Sequence, residues 1–419
     1  MTVEIRTLDE SDVADWLRAL HAGFLISPSV TEEEVAVRRP SFDLARTRGA
    51  FDGGRCVGTF RSMQRELTVP GGAVVAASAV TNVCVLGTHR RRGLLSRMMA
   101  ADLAEAKERG EAVSILIAAE HPIYGRYGFG PATWVGEWEI DVMRAAQDKR
   151  YGGPADGGRV DQVTVAEVRK TGPALFDRVR AVTNGAIDRP PFWWELATGE
   201  RVPPSRPWKE PFFAVYRDAA GRADGLVAYD VDDHEWPNKL SRTEVKVRQL
   251  VAATPAAEAA LWQYLISLDW VTQVRTNLRA PDDVVPLLLG DPRAARPVTY
   301  ADFMWLRVLD VPAALSARTY SGTGPVALVL DVADPDGMSG GRFLLETDVS
   351  GAAVCGPAPA GASPDLTVPL PELGRLYLGD ESPVRLAALG RLTEHRAGAA
   401  RTADALFRTP RRPWCPDFF

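Results

Sequence analysis

The sequence predicts a mixed α/β protein of the α+β class, built from two similar segments and a smaller C-terminal domain. The first observation is that residues 1–150 alternate as strand, helix, strands, helix and strand. The second is that residues 151–298 repeat this order and spacing with little sequence identity, which indicates a duplicated domain. The third is that residues 299–419 change to short strands and short helices separated by Gly, Pro and Asp turns.

The first segment begins with an apolar strand and contains two hairpins whose turns carry adjacent glycines. A glycine also ends its long amphipathic helix, and a continuous apolar run indicates a buried strand after it. In order, we predict a strand over Val3–Leu8, a helix over Asp9–Phe24, hairpins turning at 52–54 and 70–72, a helix from about Arg92 to Glu108, and a strand over Val113–Ala119.

The later segments are predicted from the same signals. The Gly-rich stretch 149–160 is interpreted as a linker or hairpin. In the second segment we predict a hairpin turning near Gly221, a strand from Thr243, a helix over Ala256–Leu268 and a strand over 271–279. In the C-terminal domain we predict strands at 326–333, 342–351 and 366–368, and helices within 370–380, 382–392 and 400–409. Because disordered tails are poor in aromatic residues, the tail ending in two phenylalanines is expected to be docked.

The composition is that of an ordinary globular protein, with 46% hydrophobic and 25% charged residues in a chain of 419. A formal net charge of -5 argues against nucleic acid as a partner. The four cysteines show no C-x-x-C spacing, so we expect no metal site and a reducing compartment. The N-terminus lacks the pattern of a signal peptide, and the apolar runs 73–80 and 284–289 are too short to span a membrane. We therefore expect a cytoplasmic protein without a membrane partner.

A basic loop lies between a predicted strand and a predicted helix. Val83, Cys84 and Val85 end the strand, and three arginines precede Gly93. Like charges at the positive end of a helix dipole are unfavourable unless an anion offsets them. Free N–H groups at a helix start, a glycine for close approach and guanidinium groups together suit a pyrophosphate. The alternative is a solvated basic turn before a surface helix.

A tyrosine motif follows the buried strand of the first segment. Residues 124–129 contain Tyr124, Tyr127 and Phe129 next to glycines. A phenol near a reacting thiolate can serve as a general acid. The alternative is aromatic packing in a short helix and turn.

Arg90-x-x-Gly93-x-Leu95 is similar to the signature of the GCN5-related N-acetyltransferases (GNAT), with Leu95 replacing the usual small residue. Tyr124 stands where that class often places its acid tyrosine. Together with the three-part layout, the two motifs resemble the Eis (enhanced intracellular survival) acetyltransferase family. The resemblance implies tandem GNAT domains, a C-terminal sterol-carrier-like α+β domain and a hexamer.

The resemblance also implies residue roles. Backbone groups of Val83 and Val85 would hold the pantetheine arm of acetyl-CoA, and Tyr124 would protonate the departing thiolate. The carboxylate of Phe419 would act as the base; the alternative is an exposed terminus, whose α-carboxyl is a weak base. The implied cofactor-binding residues are Val83, Cys84, Val85, Arg90, Arg91, Arg92, Gly93, Leu94, Leu95, Ser96, Ala119 and Glu120.

Two other stretches lead to further expectations. In the second segment, Thr254 and Pro255 form a stable helix start without a basic cluster, so we expect no cofactor there. The stretch 187–197, with one arginine and adjacent tryptophans, indicates inter-domain packing with a cation–π contact. Asp417 is a candidate to attract a cationic amine, and Asp43 and Glu66 are weaker ones.

These inferences indicate an acetyl-CoA-dependent N-acetyltransferase without a metal, acting by direct transfer in a ternary complex. The resemblance implies a cationic acceptor with a primary amine, either aminoglycoside-like or lysine-like. One alternative is an acetyltransferase for lysine in proteins or peptides. Another is a non-catalytic protein that binds acetyl-CoA or an apolar ligand.

Overall fold

The structure is a computed structural model that describes residues 3–145, 153–154, 156–232, 236–322 and 324–419. The predicted boundary at residue 150, and part of the predicted linker 149–160, lie outside these residues. The strands are β1 (Glu4–Thr7), β2 (Thr47–Asp52), β3 (Arg55–Thr68), β4 (Val74–Val85), β5 (Val113–Ile117), β6 (Gly130–Pro131), β7 (Trp134–Asp141), β8 (Arg159–Val163), β9 (Phe212–Arg217), β10 (Ala223–Asp232), β11 (Thr243–Ala252), β12 (Val271–Thr276), β13 (Ala295–Asp302), β14 (Met304–Val308), β15 (Val326–Ala333), β16 (Gly341–Thr347), β17 (Ala353–Pro357), β18 (Leu366–Pro369) and β19 (Thr393–Glu394).

The helices agree with the predicted α+β class. They are α1 (Val13–Gly23), α2 (Glu32–Arg38), α3 (Leu94–Glu108), α4 (His121–Tyr124), α5 (Val142–Ala145), α6 (Val165–Ala181), α7 (Pro191–Ala197), α8 (Pro255–Ile266), α9 (Val311–Ala317), α10 (Leu370–Tyr377), α11 (Pro383–Ala388) and α12 (Ala399–Phe407). Within the described ranges, no helix is both long enough and apolar enough to cross a membrane.

The first sheet has the strand order β1-β2-β3-β4-β5-β14-β6. Only its β4–β5 pair is parallel among the pairings that join these strands, and α3 connects those two strands. The amphipathic face of α3 packs Leu94, Met98 and Leu103 against Phe60 and Val80 of the sheet. This packing fixes the start of α3 beside the carboxyl end of β4.

The second sheet repeats this layout in the order β8-β9-β10-β11-β12-β7-β13, with β11 and β12 parallel. The predicted duplication is therefore visible as one topology used twice. The two sheets also exchange a strand. The sixth strand of the first sheet is β14, which follows the second unit in the chain, and the sixth strand of the second sheet is β7, which precedes that unit.

The strand exchange crosses the boundaries expected from the sequence. Division at 298 places β14 with the C-terminal domain, although β14 pairs with β5 and β6. Division at 150 places β7 with the first segment, although β7 pairs with β12 and β13. Apolar periodicity identifies a strand but carries no information about which sheet receives it.

The C-terminal domain is a five-stranded sheet in the order β17-β16-β15-β18-β19, covered by α9 to α12. It packs directly on the first sheet. Its Leu373 and Leu406 share one buried cluster with Ala77 and Leu306 of that sheet. Gly374 makes the close approach possible, because a Cβ atom there would lie 2.1 Å from the carbonyl oxygen of Leu306. The expected docked tail follows α12 and crosses all three domains.

Candidate active site

The central feature of the site is a gap between β4 and β5. The two strands pair only from Ala77 to Val80 on β4, opposite Val113 to Leu116 on β5. Beyond that point β4 continues to Val85 without β5 beside it. The backbone groups of this end of β4 are therefore available to a ligand inserted between the strands.

A β-bulge reshapes the same end of β4. Arg61 pairs with Thr81 and Thr59 pairs with Cys84, so an extra residue is accommodated on β4. Asn82 takes it up with φ of 53°, and the Thr59 hydroxyl donates to the Asn82 carbonyl oxygen at 2.7 Å. The bulge turns the following residue, Val83, out of the regular alternation. Sequence reasoning missed it; the available signal was an asparagine, which tolerates left-handed backbone, inside an apolar strand.

The helix start beside this gap has no side chain capping it. Gly93 is the N-cap of α3 with φ of 72°, and no side chain accepts a hydrogen bond from the first-turn N–H groups. A Cβ atom at Gly93 would meet nothing within 4 Å, so glycine is required there by the left-handed backbone and not by lack of space. The helix begins at Leu94, two residues after the expected start at about Arg92. The first-turn N–H groups of α3 are therefore free of side-chain partners, which suits an anion, and anion binding there stays a prediction.

A cleft of about 770 Å³ joins these features. It brings together most of the residues singled out from the sequence: Val83, Cys84, Val85, Arg90, Arg91, Gly93, Leu94, Leu95, Ser96, Ala119, Glu120 and Tyr124. It adds residues that the sequence reasoning had not assigned to cofactor binding: Gly23, Phe24, His89, Pro122, Ile123, Arg126 and Tyr127. The last residues of α1 reach the cleft only through tertiary packing, so nothing local in the sequence marks them.

The three arginines of the basic loop occupy different positions. Arg91 lines the cleft with φ of 63°. Arg90 also lines it and lies 3.6 Å from the Glu120 carboxylate, with both side chains mostly exposed. Arg92 is outside the lining and points back to the Thr88 carbonyl oxygen at 3.5 Å. The structure thus brings two of the three arginines to the cleft.

His89 anchors this loop. Its ring is buried and lies 3.0 Å from the Asp52 carboxylate and 2.8 Å from the Thr88 hydroxyl. The hydrogen bond from His89 holds the pKa of Asp52 below its usual range. The loop is therefore fastened to the β2–β3 turn, which preorganises the arginines.

Tyr124 lies at the end of α4 and is 8% exposed. Burial, reinforced by the nearby Glu120 and Tyr127, raises the pKa of Tyr124 to about 12. Its phenol is therefore protonated at neutral pH and can act as a proton donor. Tyr127 faces α3 in the same cleft, with its hydroxyl 2.9 Å from that of Ser96.

The C-terminal tail is docked, as its aromatic residues predicted, and it ends at the gap. The Thr81 hydroxyl donates to the terminal oxygen of Phe419 at 2.8 Å, one residue before the bulge. Phe418 packs edge-on against Phe303, with ring centroids 5.0 Å apart. The chain terminus therefore lies at β4 although Phe419 does not line the cleft itself.

A buried ion pair holds the tail. Arg189 Nε donates to both Asp417 carboxylate oxygens at 2.9 and 3.1 Å, and both side chains are nearly inaccessible to solvent. The Arg189 guanidinium lies over the ring of Trp193 at 3.8 Å and that of Phe176 at 3.6 Å. The predicted cation–π contact at 187–197 is thus present within the second domain, and the inter-domain packing at this stretch is made by the ion pair of Arg189 with Asp417.

The same pair corrects one expectation from the sequence. Asp417 was a candidate to attract a cationic amine, but its carboxylate is buried and fully engaged by Arg189. Asp43 accepts from the Ala45 N–H at 3.0 Å, and Glu66 pairs with Arg180 at 2.7 Å. Asp43 and Glu66 remain exposed, so a role for them in attracting an acceptor amine stays a prediction.

Asp417→Asn is expected to speed release of the terminal residues by carboxypeptidase about a hundredfold or more. Removing one partner of a buried ion pair costs about 3–5 kcal/mol, and digestion follows the population of undocked tail. Timed digestion with mass spectrometry measures the rate. Asp218→Asn, at a turn of the second domain, is the control. An unchanged rate would show that the pair does not hold the tail.

In the corresponding region of the second domain, protein groups bond the free end of the strand, and a cavity of about 380 Å³ lies beside Leu250 and Arg279. There β11 and β12 pair as far as Val247, and the Arg279 guanidinium bonds the Leu250 carbonyl oxygen beyond it. Arg279 also pairs with Asp283 at 2.6 Å. The Thr254 side chain caps α8 by accepting from the Ala257 N–H at 3.2 Å. This arrangement supports the expectation of no cofactor there, which stays a prediction.

In the part of the chain that the structure describes, no group of three or more His, Cys, Asp or Glu side chains is arranged to hold a metal ion. The expectation of a metal-free site stays a prediction as well.

Comparison with known proteins agrees with this geometry. An acetyltransferase (GNAT) domain family matches residues 4–132, and a second such family matches residues 185–308. A sterol carrier protein domain family matches residues 311–416. The fold and the site thus define an N-acetyltransferase of the GNAT class, with two GNAT domains and a sterol-carrier-like domain.

Individual relatives give a closer assignment. The chain is 56% identical over 417 residues to an uncharacterized N-acetyltransferase of Streptomyces avermitilis, covering 100% of this chain and 99% of the relative. It is 36% identical over 365 residues to N-acetyltransferase Eis of Mycobacterium bovis, covering 86% of this chain and 85% of the relative. The structure of Eis1 from Mycobacterium abscessus is similar with a TM-score of 0.84 and 32% identity, over 99% of this chain and 100% of that one. The chain belongs to the Eis family of N-acetyltransferases.

Proposed function

We propose that this enzyme transfers the acetyl group of acetyl-CoA directly to a primary amine in a ternary complex. The observation that carries the proposal is the position of the chain terminus. The Phe419 terminal oxygen is bonded to Thr81 on the strand whose free end forms the gap. The proposed base and the proposed cofactor groove therefore lie on one short length of β4.

The residues at the gap fit acetyl-CoA, which would supply an acetyl group activated as a thioester. Arg91, Gly93 and the N–H groups up to Ser96 surround an uncapped helix start suited to a pyrophosphate. Backbone groups of Val83 and Val85 have no β5 partner and would hold the pantetheine arm. Arg90 and Glu120 face each other across the cleft mouth.

We assign each proposed chemical role to one group at or near the gap. The Phe419 carboxylate accepts a proton from the attacking amine, whose nitrogen bonds the acetyl carbon as the carbon–sulfur bond breaks. The N–H of Val83 or Val85 donates to the thioester oxygen, where negative charge develops. Tyr124 donates its proton to the departing sulfur, consistent with a phenol that burial keeps protonated. Because a terminal carboxylate is a weak base, its position beside the attacking amine matters more for this step than its basicity.

The acceptor implied by family resemblance is a cationic amine, either aminoglycoside-like or lysine-like. An acceptor screen that detects free coenzyme A thiol, with an aminoglycoside, free lysine and lysine peptides, would separate these from a protein or peptide acetyltransferase. Tight binding of acetyl-CoA without turnover of any amine would instead favour a non-catalytic binding protein. A hexameric assembly is likewise our proposal from the resemblance, to be measured by sedimentation.

Arg91→Ala is expected to raise the KM for acetyl-CoA about tenfold or more with little change in kcat. Arg91 lines the cleft beside the helix start, and a hydrogen bond to a charged group contributes about 1.5–3 kcal/mol. Loss of binding shared by ground state and transition state appears in KM. Arg92→Ala is the matched control, because Arg92 lies outside the lining. Equal effects of the two substitutions would contradict the assignment.

A further inference from the structure

The face of the first sheet that holds the chain terminus also carries two arginines. Side chains alternate along a strand, so Arg61, Met63 and Arg65 of β3 share one face. Arg61 pairs in register with Thr81, the residue bonded to the Phe419 terminal oxygen. Met63 packs against the same apolar cluster as Phe419. Both arginines therefore lie on the face of the sheet that holds the terminal carboxylate.

Neither arginine has an acidic partner at ion-pair distance, although the charge of Asp43 acts on Arg61, and those of Asp188 and Asp417 act on Arg65, at longer range. Within the described residues, no ion pair within 4.0 Å joins Arg61 or Arg65 to a carboxylate, the chain terminus included. Other buried arginines of the same domain do have one. Arg46 lies 2.7 Å from Glu111, and Arg48 lies 3.4 Å from Asp102.

Arg61 is 9% exposed, and its Nε has no hydrogen-bond partner. Its Nη2 donates to the Ser41 carbonyl oxygen, and its guanidinium lies 4.5 Å from the Phe42 ring centroid. Burial, with Arg65 and Arg38 nearby, lowers the pKa of Arg61 to about 10, so it stays charged at neutral pH.

Another buried arginine, Arg318, shows how a guanidinium group can be hydrogen-bonded without an acidic partner. Its guanidinium donates to the carbonyl oxygens of Tyr377 and Phe407. Arg61 has one such carbonyl and an unpaired Nε. Arg65 reaches only the neighbouring Gln64 carbonyl oxygen at 2.8 Å and the Met63 sulfur at 3.4 Å. Burying a charge without a close partner is costly, so an anion bound beside these two guanidinium groups would be stabilised.

We propose that Arg61 and Arg65 bind a carboxylate of the acceptor, which is a small amino acid-like zwitterion and not a polycation. This inference rests on the proposed acetyl transfer. The acceptor ammonium would face the Phe419 carboxylate, and its own carboxylate would face the two guanidinium groups, whose planar forks match a carboxylate. This proposal favours a lysine-like acceptor over an aminoglycoside-like one, and it requires that the acceptor keep a free carboxylate.

The test compares amines that differ in one charge. Free L-lysine, L-lysinamide and 1,5-diaminopentane are assayed by thiol release, and phosphoethanolamine tests whether the anion is a phosphate. We expect kcat/KM for lysine to exceed that for lysinamide about tenfold or more, as for one charge-assisted bond. Equal rates with lysinamide or diaminopentane, or a preference for phosphoethanolamine, would overturn the carboxylate assignment.

Substitutions then test whether Arg61 and Arg65 cause the preference for an acceptor with a carboxylate. Arg61→Met and Arg65→Met keep length and apolar bulk, and each is expected to bring the lysine-to-lysinamide ratio towards one through the KM for lysine. Arg55→Met, at the exposed start of the same strand, should leave the ratio unchanged. Acetyl-CoA binding by calorimetry identifies folded variants, and the partly exposed Arg65 provides a second test if Arg61→Met misfolds. A ratio that survives both substitutions would overturn the inference.

The outcomes also separate the inference from the proposed function. Thiol release with amines but without a carboxylate preference would leave acetyl transfer standing and remove only the inference. No thiol release with any amine, despite acetyl-CoA binding, would remove both.

Discussion

Extending the chain by a few residues after Phe419 is expected to lower kcat about 10²–10⁴-fold, the range of a lost general base, while acetyl-CoA affinity is kept. The terminal oxygen is bonded to Thr81, and the docked tail leaves a newly added peptide group where the carboxylate stood. The cofactor groove lies on the other side of the bulge at Asn82, so its binding groups are not displaced. Thiol release and calorimetry measure the two quantities.

A semisynthetic enzyme ending in a Phe419 α-amide is the matched control for this experiment. The amide keeps the length and packing of the tail but removes the negative charge. If kcat falls equally in the amide variant and in the extended variant, the carboxylate itself is the base. An active amide with an inactive extension would instead show that the extension acts by steric obstruction, and the proposed base would be wrong.

Tyr124→Phe is expected to lower kcat about 10²–10⁴-fold with little change in the KM for acetyl-CoA, since it removes only a proton donor. Burial keeps this phenol protonated well above neutral pH, and the ring remains packed edge-on near Phe129, with centroids 6.4 Å apart. Packing should therefore survive the substitution.

Tyr127→Phe tests the specificity of that effect. Tyr127 lines the same cleft, but its hydroxyl is 2.9 Å from that of Ser96 at the helix start. We expect it to change kcat much less than Tyr124→Phe. If Tyr124→Phe stays within a few-fold of the wild-type rate, another group or a water protonates the thiolate.

Patterns among residues close together in sequence were enough to predict much of the fold and much of the lining of the cleft. The β3–β4 turn at Pro70 to Gly72 was predicted from its glycines, and the long helix from its apolar spacing, because both depend on neighbours in sequence. The strand–basic loop–helix order predicted an anion site. The structure places Arg90, Arg91 and Gly93 on the cleft accordingly.

Other features depended on contacts between distant residues. Asp417 looked available beside the chain end, yet Arg189 engages it from 228 positions away. Arg92 was grouped with its neighbours, but the turn at Arg91, with φ of 63°, directs it away from the cleft. The unpaired charge of Arg61 is also invisible in sequence, where acidic residues are plentiful.

The sequence by itself determined the α+β elements and the duplication, and it predicted the chemistry of the basic loop and Tyr124, since turn residues, apolar period and residue type are local properties. Only the tertiary structure decided the exchange of β7 and β14 between sheets, the bulge at Asn82 and the placement of Phe419 against Thr81. These depend on which strands and side chains meet across the fold. That choice is made by the packing of the whole chain, because burial and ion pairing reward contacts regardless of their separation in sequence.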